Sequence, residues 1–145
     1  AVVDVDAQTG EVNIVRYVAA EDIGTIINPA VVEGQIIGGI AQGIGEALLE
    51  ELVYDETGQP RTVTLADYLV PSALEIPRIE LHHANTPSAA LGGFKGCGEG
   101  SIIGALGAVT CAVADALNRR GGDIHDFPAT PERVLRGLGV LPSEA

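Results

Sequence analysis

The chain has 145 residues, a hydrophobic content of 46% and a formal net charge of −12. That length and apolar content suffice for a single domain, residues 1–145, with its own core. The acidic balance excludes a nucleic-acid partner, whose phosphates require a basic surface.

Aromatic residues make up only 3% of the chain, and Trp and Met are absent. The core must therefore come from Ile, Leu, Val and Ala, and 19 glycines point to tight backbone packing. Ala1 opens directly on a strand-like pattern, which reads as a piece of a longer chain or a processed subunit. No signal-peptide pattern is present, and the uncharged runs fall short of the ~18 residues that span a bilayer. The two cysteines, Cys97 and Cys111, lack zinc or iron–sulfur spacing, so no metal-ligating set is expected. They read as free thiols in a reducing, cytoplasmic compartment.

Val2 to Asp6 alternates, Gln8-Thr9-Gly10 turns, and Glu11 to Ala20 alternates again, the pattern of a β-hairpin. Asn28-Pro29 suits a helix start, with Asn as cap and Pro at the first helical position. That helix is expected from about Pro29 to about Glu51. Its apolar stripe is Ile37, Ile40, Ile44 and Leu48. A small stripe follows Gly34, Gly38, Ala41 and Gly45, and a polar one Gln35, Gly39, Gln42, Glu46 and Glu50. Each interior glycine costs about 0.8–1 kcal/mol relative to Ala, so another element should lie against the small face.

Leu52 to Tyr54 is expected as a short strand, Asp55 to Gly58 as a turn, and Thr62 to Tyr68 as an extended piece. Pro71 and Pro77 break the next stretch into loop. Ile79 to Ala84 reads as a strand whose His82 and His83 point to opposite faces and cannot share a metal.

Leu91 to Ser101 holds five glycines in eleven residues, with one lysine, Lys95, and one glutamate, Glu99. A phosphate loop needs Gly-Lys-Ser/Thr at its end, and none follows Lys95. Gly96-Cys97-Gly98 begins a dinucleotide fingerprint, but Gly100 falls one place early. Gly43-Ile44-Gly45 begins another, but Leu48 stands where its third glycine belongs. There remains a backbone able to wrap a ligand and to present a carboxylate. A second long helix then begins, with Ile102, Leu106, Val109, Val113 and Leu117 on one face. Gly104, Ala105, Ala108 and Ala112 lie opposite, and Gly121-Gly122 stops it. Glu99 stands at its start, where the positive dipole end favours an anion. Thr130-Pro131 opens a last short helix, and the chain is expected to fray from Leu141.

The expected architecture is α+β: two layers, a mixed sheet carrying two long Gly/Ala-rich helices. From the residues alone, a catalytic role, a non-catalytic phosphate-ligand-binding module and a structural assembly subunit all stay open.

Three segments together resemble one family. They are Asp22-Ile23-Gly24 with Asn28-Pro29, Gly34-Gln35 through Gly38-Gly39 to Gln42-Gly43-Ile44-Gly45, and Lys95-Gly96-Cys97-Gly98-Glu99. They resemble, in order and spacing, segments of the molybdenum hydroxylases, the family of xanthine dehydrogenase, aldehyde oxidoreductase and the aerobic carbon monoxide dehydrogenase large subunit. The resemblance covers the C-terminal part of that family's molybdopterin-binding subunit. It implies a molybdenum-dependent hydroxylase acting on an aldehyde, purine or N-heterocycle with oxygen from water. It implies further that Glu99 is the active-site base and that Gln35 and the backbone of Cys97 and Gly98 contact molybdopterin, as the pterin itself or its cytosine dinucleotide. Gln42 is a further candidate for a cofactor contact. The implied partners are the remainder of the molybdopterin-binding subunit, an iron–sulfur subunit with [2Fe–2S] clusters, an FAD subunit and a small-molecule substrate. Cys97 departs from the family's common Val, which is tolerable if the backbone makes the contact. The chain alone is expected to be inactive.

Overall fold

Asp6 sets the first turn of the computed structural model, which describes residues 1–142. Its carboxylate accepts from the N–H groups of Gln8 and Thr9 at 2.7 and 3.2 Å. Gly10 follows at φ 79°, a left-handed position that glycine takes without strain. The turn joins β1, Val2–Val5, to β2, Val12–Asp22. The pair is antiparallel, with Val5 opposite Val12 and Val3 opposite Ile14. β3, Ile79–Ala84, lies on the other side of β2 and parallel to it, so the sheet is mixed, in the order β1-β2-β3. Arg16 on β2 forks onto both oxygens of Glu80 on β3, at 2.8 and 2.9 Å.

Helix α1 spans Pro29–Leu48 and opens as its sequence requires: Asn28 accepts from the N–H of Val31, with Pro29 in the first turn. It ends three residues short of the expected Glu51. The N–H groups of Leu49 and Glu50 both turn back to the Gly45 carbonyl, and that of Ala129 caps the Ala47 carbonyl at 2.7 Å. Helix α2 spans Gly100–Asn118. It stops where Gly121 takes φ 78° and the Gly122 N–H reaches the Leu117 carbonyl. The short α3, Pro131–Gly137, has Thr130 as its N-cap, as expected. Glu51, left outside α1, pairs with Arg133 of α3.

The two long helices form the most extensive contact in the chain, and α2 also packs on β1. Their contact faces differ from the expected stripes. On α1 the buried residues are Val32, Ile36, Gly39, Ile40, Gly43, Ile44, Gly45 and Ala47. Ile37 is exposed, and nothing stands near Gly34 or Gly38. The small face that meets α2 is Gly39 and Gly43. A β-carbon on Gly39 would stand 3.0 Å from that of Ser101, and one on Gly43 2.6 Å from that of Ala105. On α2 the expected row holds for Val109, Val113 and Leu117. Over the first two turns it rotates to Ser101 and Ala105, leaving Ile102 half-buried and Leu106 exposed. Backbones this close admit only small residues between them, so the larger side chains turn away. Each fully buried Ile or Val of this core stabilises it by about 1.5–3 kcal/mol.

The α1 partners Gly39 and Gly43 meet Ser101 and Ala105, and both pairs advance by one turn in the same sense. The helices therefore run parallel. Two expected extended pieces are corrected. Leu52 to Tyr54 contributes only an isolated bridge between Tyr54 and Pro60, and Thr62 to Tyr68 is a turn around Thr64. Most of this segment is exposed, and among the described residues none of the sheet's three strands pairs with it. The Asp55–Gly58 turn forms as expected. The fraying expected from Leu141 falls largely on residues 143–145, which lie outside the described residues.

Among the described residues, α2 alone is long and apolar enough to cross a membrane by length and composition. The uncharged run visible in sequence is shorter than the helix it sits in. Ala105, Val109, Val113 and Leu117 of α2 are fully buried in the core, and core helices meet the same measure.

Candidate functional site

The glycine loop is fastened at its first half and bare at its second. Gly92 and Gly93 take φ 80° and 72° in a single 3-10 turn, Leu91–Gly93. The Gly93 carbonyl then accepts from the N–H groups of Thr25 and Ser88, both at 3.1 Å. Gly24 faces Phe94 across an isolated antiparallel bridge, and a β-carbon on Gly24 would fall 2.2 Å from the Gly93 oxygen. The Lys95 N–H donates to the Ile23 carbonyl at 3.0 Å. Beyond Lys95, the backbones of Gly96, Cys97 and Gly98 make no hydrogen bond among the described residues.

Lys95 is the only lysine of the chain. Its Nζ donates to Asp22 Oδ2 at 2.6 Å and to Thr86 Oγ1 at 2.8 Å. Asp22 also accepts from the Thr86 hydroxyl and from the N–H groups of Gly24 and Thr86. The Lys95 ammonium first, then the Thr86 hydroxyl and the Gly24 N–H, hold the Asp22 carboxyl well below the usual carboxylate range. A depressed value in the folded state means stability that is complete above the unfolded value and lost only as pH falls below it. Asp22→Asn should therefore lower the denaturant midpoint by a constant amount from about pH 7 down to about pH 4. The gap to the parent should close only in stronger acid. Paired denaturant titrations at these pH values check it, and closure by about pH 5 would contradict the assignment.

Glu99 is the N-cap residue of α2, yet its carboxylate makes no cap hydrogen bond. It is exposed and has no partner among the described residues. Gln35 is exposed on α1, one turn before Gly39. Because the helices run parallel, Gln35 and Cys97, each four residues before the Gly39–Ser101 contact, lie at the same end of the pair. Gln42 is exposed further along α1. Cys97 is half-buried against the core, and with Ile23, Val32, Phe94 and Lys95 it lines a cavity of about 320 Å³. Gly98 is exposed, and nothing stands within 4 Å of where a β-carbon would sit on it or on Gly96. His82 and His83 are exposed on β3. No group of three His, Cys, Asp or Glu among the described residues is placed to hold a metal.

Sequence reading singles out Asp22 and Lys95 as members of motifs but does not pair them, and it misses Glu21, Thr86 and Ser101. Ser101 is buried, and its hydroxyl donates to Glu21 Oε1 at 2.5 Å. The one available signal is a lone lysine in a loop otherwise nearly free of side chains.

Similarity to known proteins extends along the chain. The molybdopterin cofactor-binding domain family matches residues 1–77. The nicotine 6-hydroxylase large subunit of Paenarthrobacter nicotinovorans is 45% identical over 97% of this chain and 17% of its own length. The carbon monoxide dehydrogenase large chain of Hydrogenophaga pseudoflava is 40% identical over 94% of this chain and 17% of its own. The crystal structure of quinoline 2-oxidoreductase from Pseudomonas putida 86 superposes with a TM-score of 0.92 at 49% identity, covering 97% of this chain and 18% of that one. The chain thus spans less than a fifth of the length of the relatives it matches. The family match takes in β1, β2 and α1, while the relatives and the superposition cover nearly the whole chain. On that ground this chain belongs to the molybdopterin cofactor-binding domain family.

Proposed function

We propose that this chain supplies the active-site base and part of the molybdopterin site of a molybdenum hydroxylase. The observation that carries the reading is the bare half of the glycine loop. Three consecutive backbone units without hydrogen bonds and one unpartnered carboxylate stand at the same end of a parallel helix pair as an exposed glutamine. Polar backbone groups left unpaired within a chain are satisfied by water or by a ligand. The open space beside Gly96 and Gly98 fits a group lying directly on the main chain.

Bound molybdopterin would supply the metal centre for oxidising a substrate carbon with water-derived oxygen. The chain's own residues would do the rest. The Gln35 amide and the N–H groups of the Cys97–Gly98 segment hydrogen-bond the cofactor and orient it. Glu99 accepts a proton at its carboxylate oxygen, which requires approach to within about 3 Å of the proton's donor. Lining by glycine lets the loop come that close without a side chain intervening.

Nicotine and quinoline, named in two of the relatives, are N-heterocycles other than purines, which favours that substrate class over aldehydes and purines. The remaining length of the large subunit, an iron–sulfur subunit and an FAD subunit complete the enzyme and carry the electrons away. This chain carries no cysteine set for an iron–sulfur cluster.

Gln35→Ala in the whole enzyme should lower molybdopterin content several-fold, read by metal analysis and by fluorescence of the oxidised pterin. Removal of one ligand-orienting contact typically costs about tenfold in affinity. Unchanged occupancy would remove Gln35 from the site. Turnover of a panel of N-heterocycles, aldehydes and purines by the same preparation tests the substrate class.

A further inference from the structure

We infer that Glu21 and Asp22 form a two-armed clamp that positions Glu99, one arm holding each end of the bare glycine stretch. The inference rests on Glu99 being the base. Glu21 and Asp22 are the last two residues of β2, and both are in register with β3, opposite His83 and Ala84. Neighbours on a strand project to opposite sides, so two consecutive carboxylates can grip two different segments. Asp22 takes Lys95, at the start of the bare stretch, and Thr86 from the chain just beyond β3 closes the same network. Glu21 takes the buried hydroxyl of Ser101, in the first turn of α2. Ser101 is in turn packed on Gly39 of α1.

Glu99 sits between these two fixed points, four residues after Lys95 and two before Ser101. Four residues span at most about 14 Å, so the carboxylate has little slack once both ends are held. From Gly96 to Gly98 the backbone makes no hydrogen bond among the described residues, and Gly96 and Gly98 impose no side-chain packing. The stretch is thus held by hydrogen bonds only at its ends, with the half-buried Cys97 packed against the core between them. The glycines leave the main chain free for a ligand, and the clamp restores the order that glycine forfeits. Both arms attach to the sheet rather than to another loop, which ties them to hydrogen-bonded strands. Glu21 and Asp22 are positioning residues: neither is assigned contact with substrate, and each acts through Ser101 or Lys95. A misplacement of about 1 Å at a reacting group can cost 10²-fold in rate, which is the scale on which the clamp matters.

The test uses the holoenzyme with Lys95→Met, Asp22→Asn and Ser101→Ala, beside Glu99→Gln. Three quantities are read: molybdopterin content, kcat and KM separately, and hydrogen exchange of the 96–100 amides with and without cofactor. The expected result, with cofactor bound, is exchange faster by about tenfold across 96–100 in each clamp variant, a larger change than in the β2 and β3 amides. In the same variants kcat per bound cofactor should fall by roughly 10- to 10²-fold while KM stays within about twofold. Asp22→Asn combined with Lys95→Met should lose no more than either alone, since both break one arm. Unchanged exchange at 96–100, or a kcat that falls only in proportion to cofactor content, overturns the clamp. Should Glu99→Gln keep its turnover, the base assignment fails instead, and the exchange data still decide whether Glu21 and Asp22 order the loop.

Discussion

Glu99→Gln in the complete enzyme is expected to keep its molybdopterin and lose about 10²- to 10⁴-fold in kcat, the range that a positioned general base contributes. The substitution is nearly isosteric and takes away only the ability to accept a proton as an anion. It should not disturb the fold, because the Glu99 side chain makes no hydrogen bond among the described residues and does not cap α2. The helix begins through its backbone: the Ile103 N–H reaches the Glu99 carbonyl, and Ser101 is held by Glu21. Stability and cofactor content are therefore the controls, and both should match the parent. Single-turnover rates over pH would show the loss most directly. A variant that turns over normally would remove Glu99 from the chemistry, and one that loses its cofactor would make it a binding residue.

Gly43→Val should cost about 3 kcal/mol or more, read as a lowered denaturant midpoint in the protein that carries this chain. A β-carbon there would lie 2.6 Å from that of Ala105 and 2.9 Å from the backbone nitrogen of Leu106. A side chain could rotate away; a backbone nitrogen inside a helix cannot, so α1 and α2 must separate. Separation withdraws Ile40, Ile44, Val109 and Val113 from contact, all of them essentially inaccessible to solvent. Gly38→Ala, on the same helix but facing open space, should instead gain the helix-propensity difference of about 0.8–1 kcal/mol. The opposite signs separate a packing requirement from the general cost of glycine in a helix. A fall for Gly38→Ala would mean that another segment of the longer protein packs on that face.

Alternation in β1, β2 and β3 and the caps at Asn28 and Thr130 are readable in sequence because each signal is local. The rotation of both helices is not. Glycine contributes nothing to an apolar pattern, so Gly39 and Gly43 look interchangeable with Gly34 and Gly38. Only the partner helix, with Ser101 and Ala105 at matching spacing, shows which pair is used. Likewise Leu106 satisfies the periodicity of α2, but the close approach leaves no room for it. Glycine spacing marks Glu99 as a carboxylate presented by the loop; its role as base, and the roles of Gln35, Cys97 and Gly98, are implied by the resemblance alone. The Asp22–Lys95 pair spans 73 positions of sequence, and no periodicity carries information over such a distance.

The parallel course of α1 and α2 dictates the plan of everything between them. Helices joined by a short turn must run in opposite directions, so a parallel pair needs a return path as long as α1, about 30 Å. Some nine extended residues would cover that distance, at roughly 3.3–3.6 Å each, and the stretch from 49 to 99 is several times longer. The surplus is taken up by β3 and by the largely exposed segment around Asp55–Gly58, whose tip touches neither helix contact. Insertions and deletions in that tip can thus accumulate while the span from Gln35 to the glycine loop stays fixed.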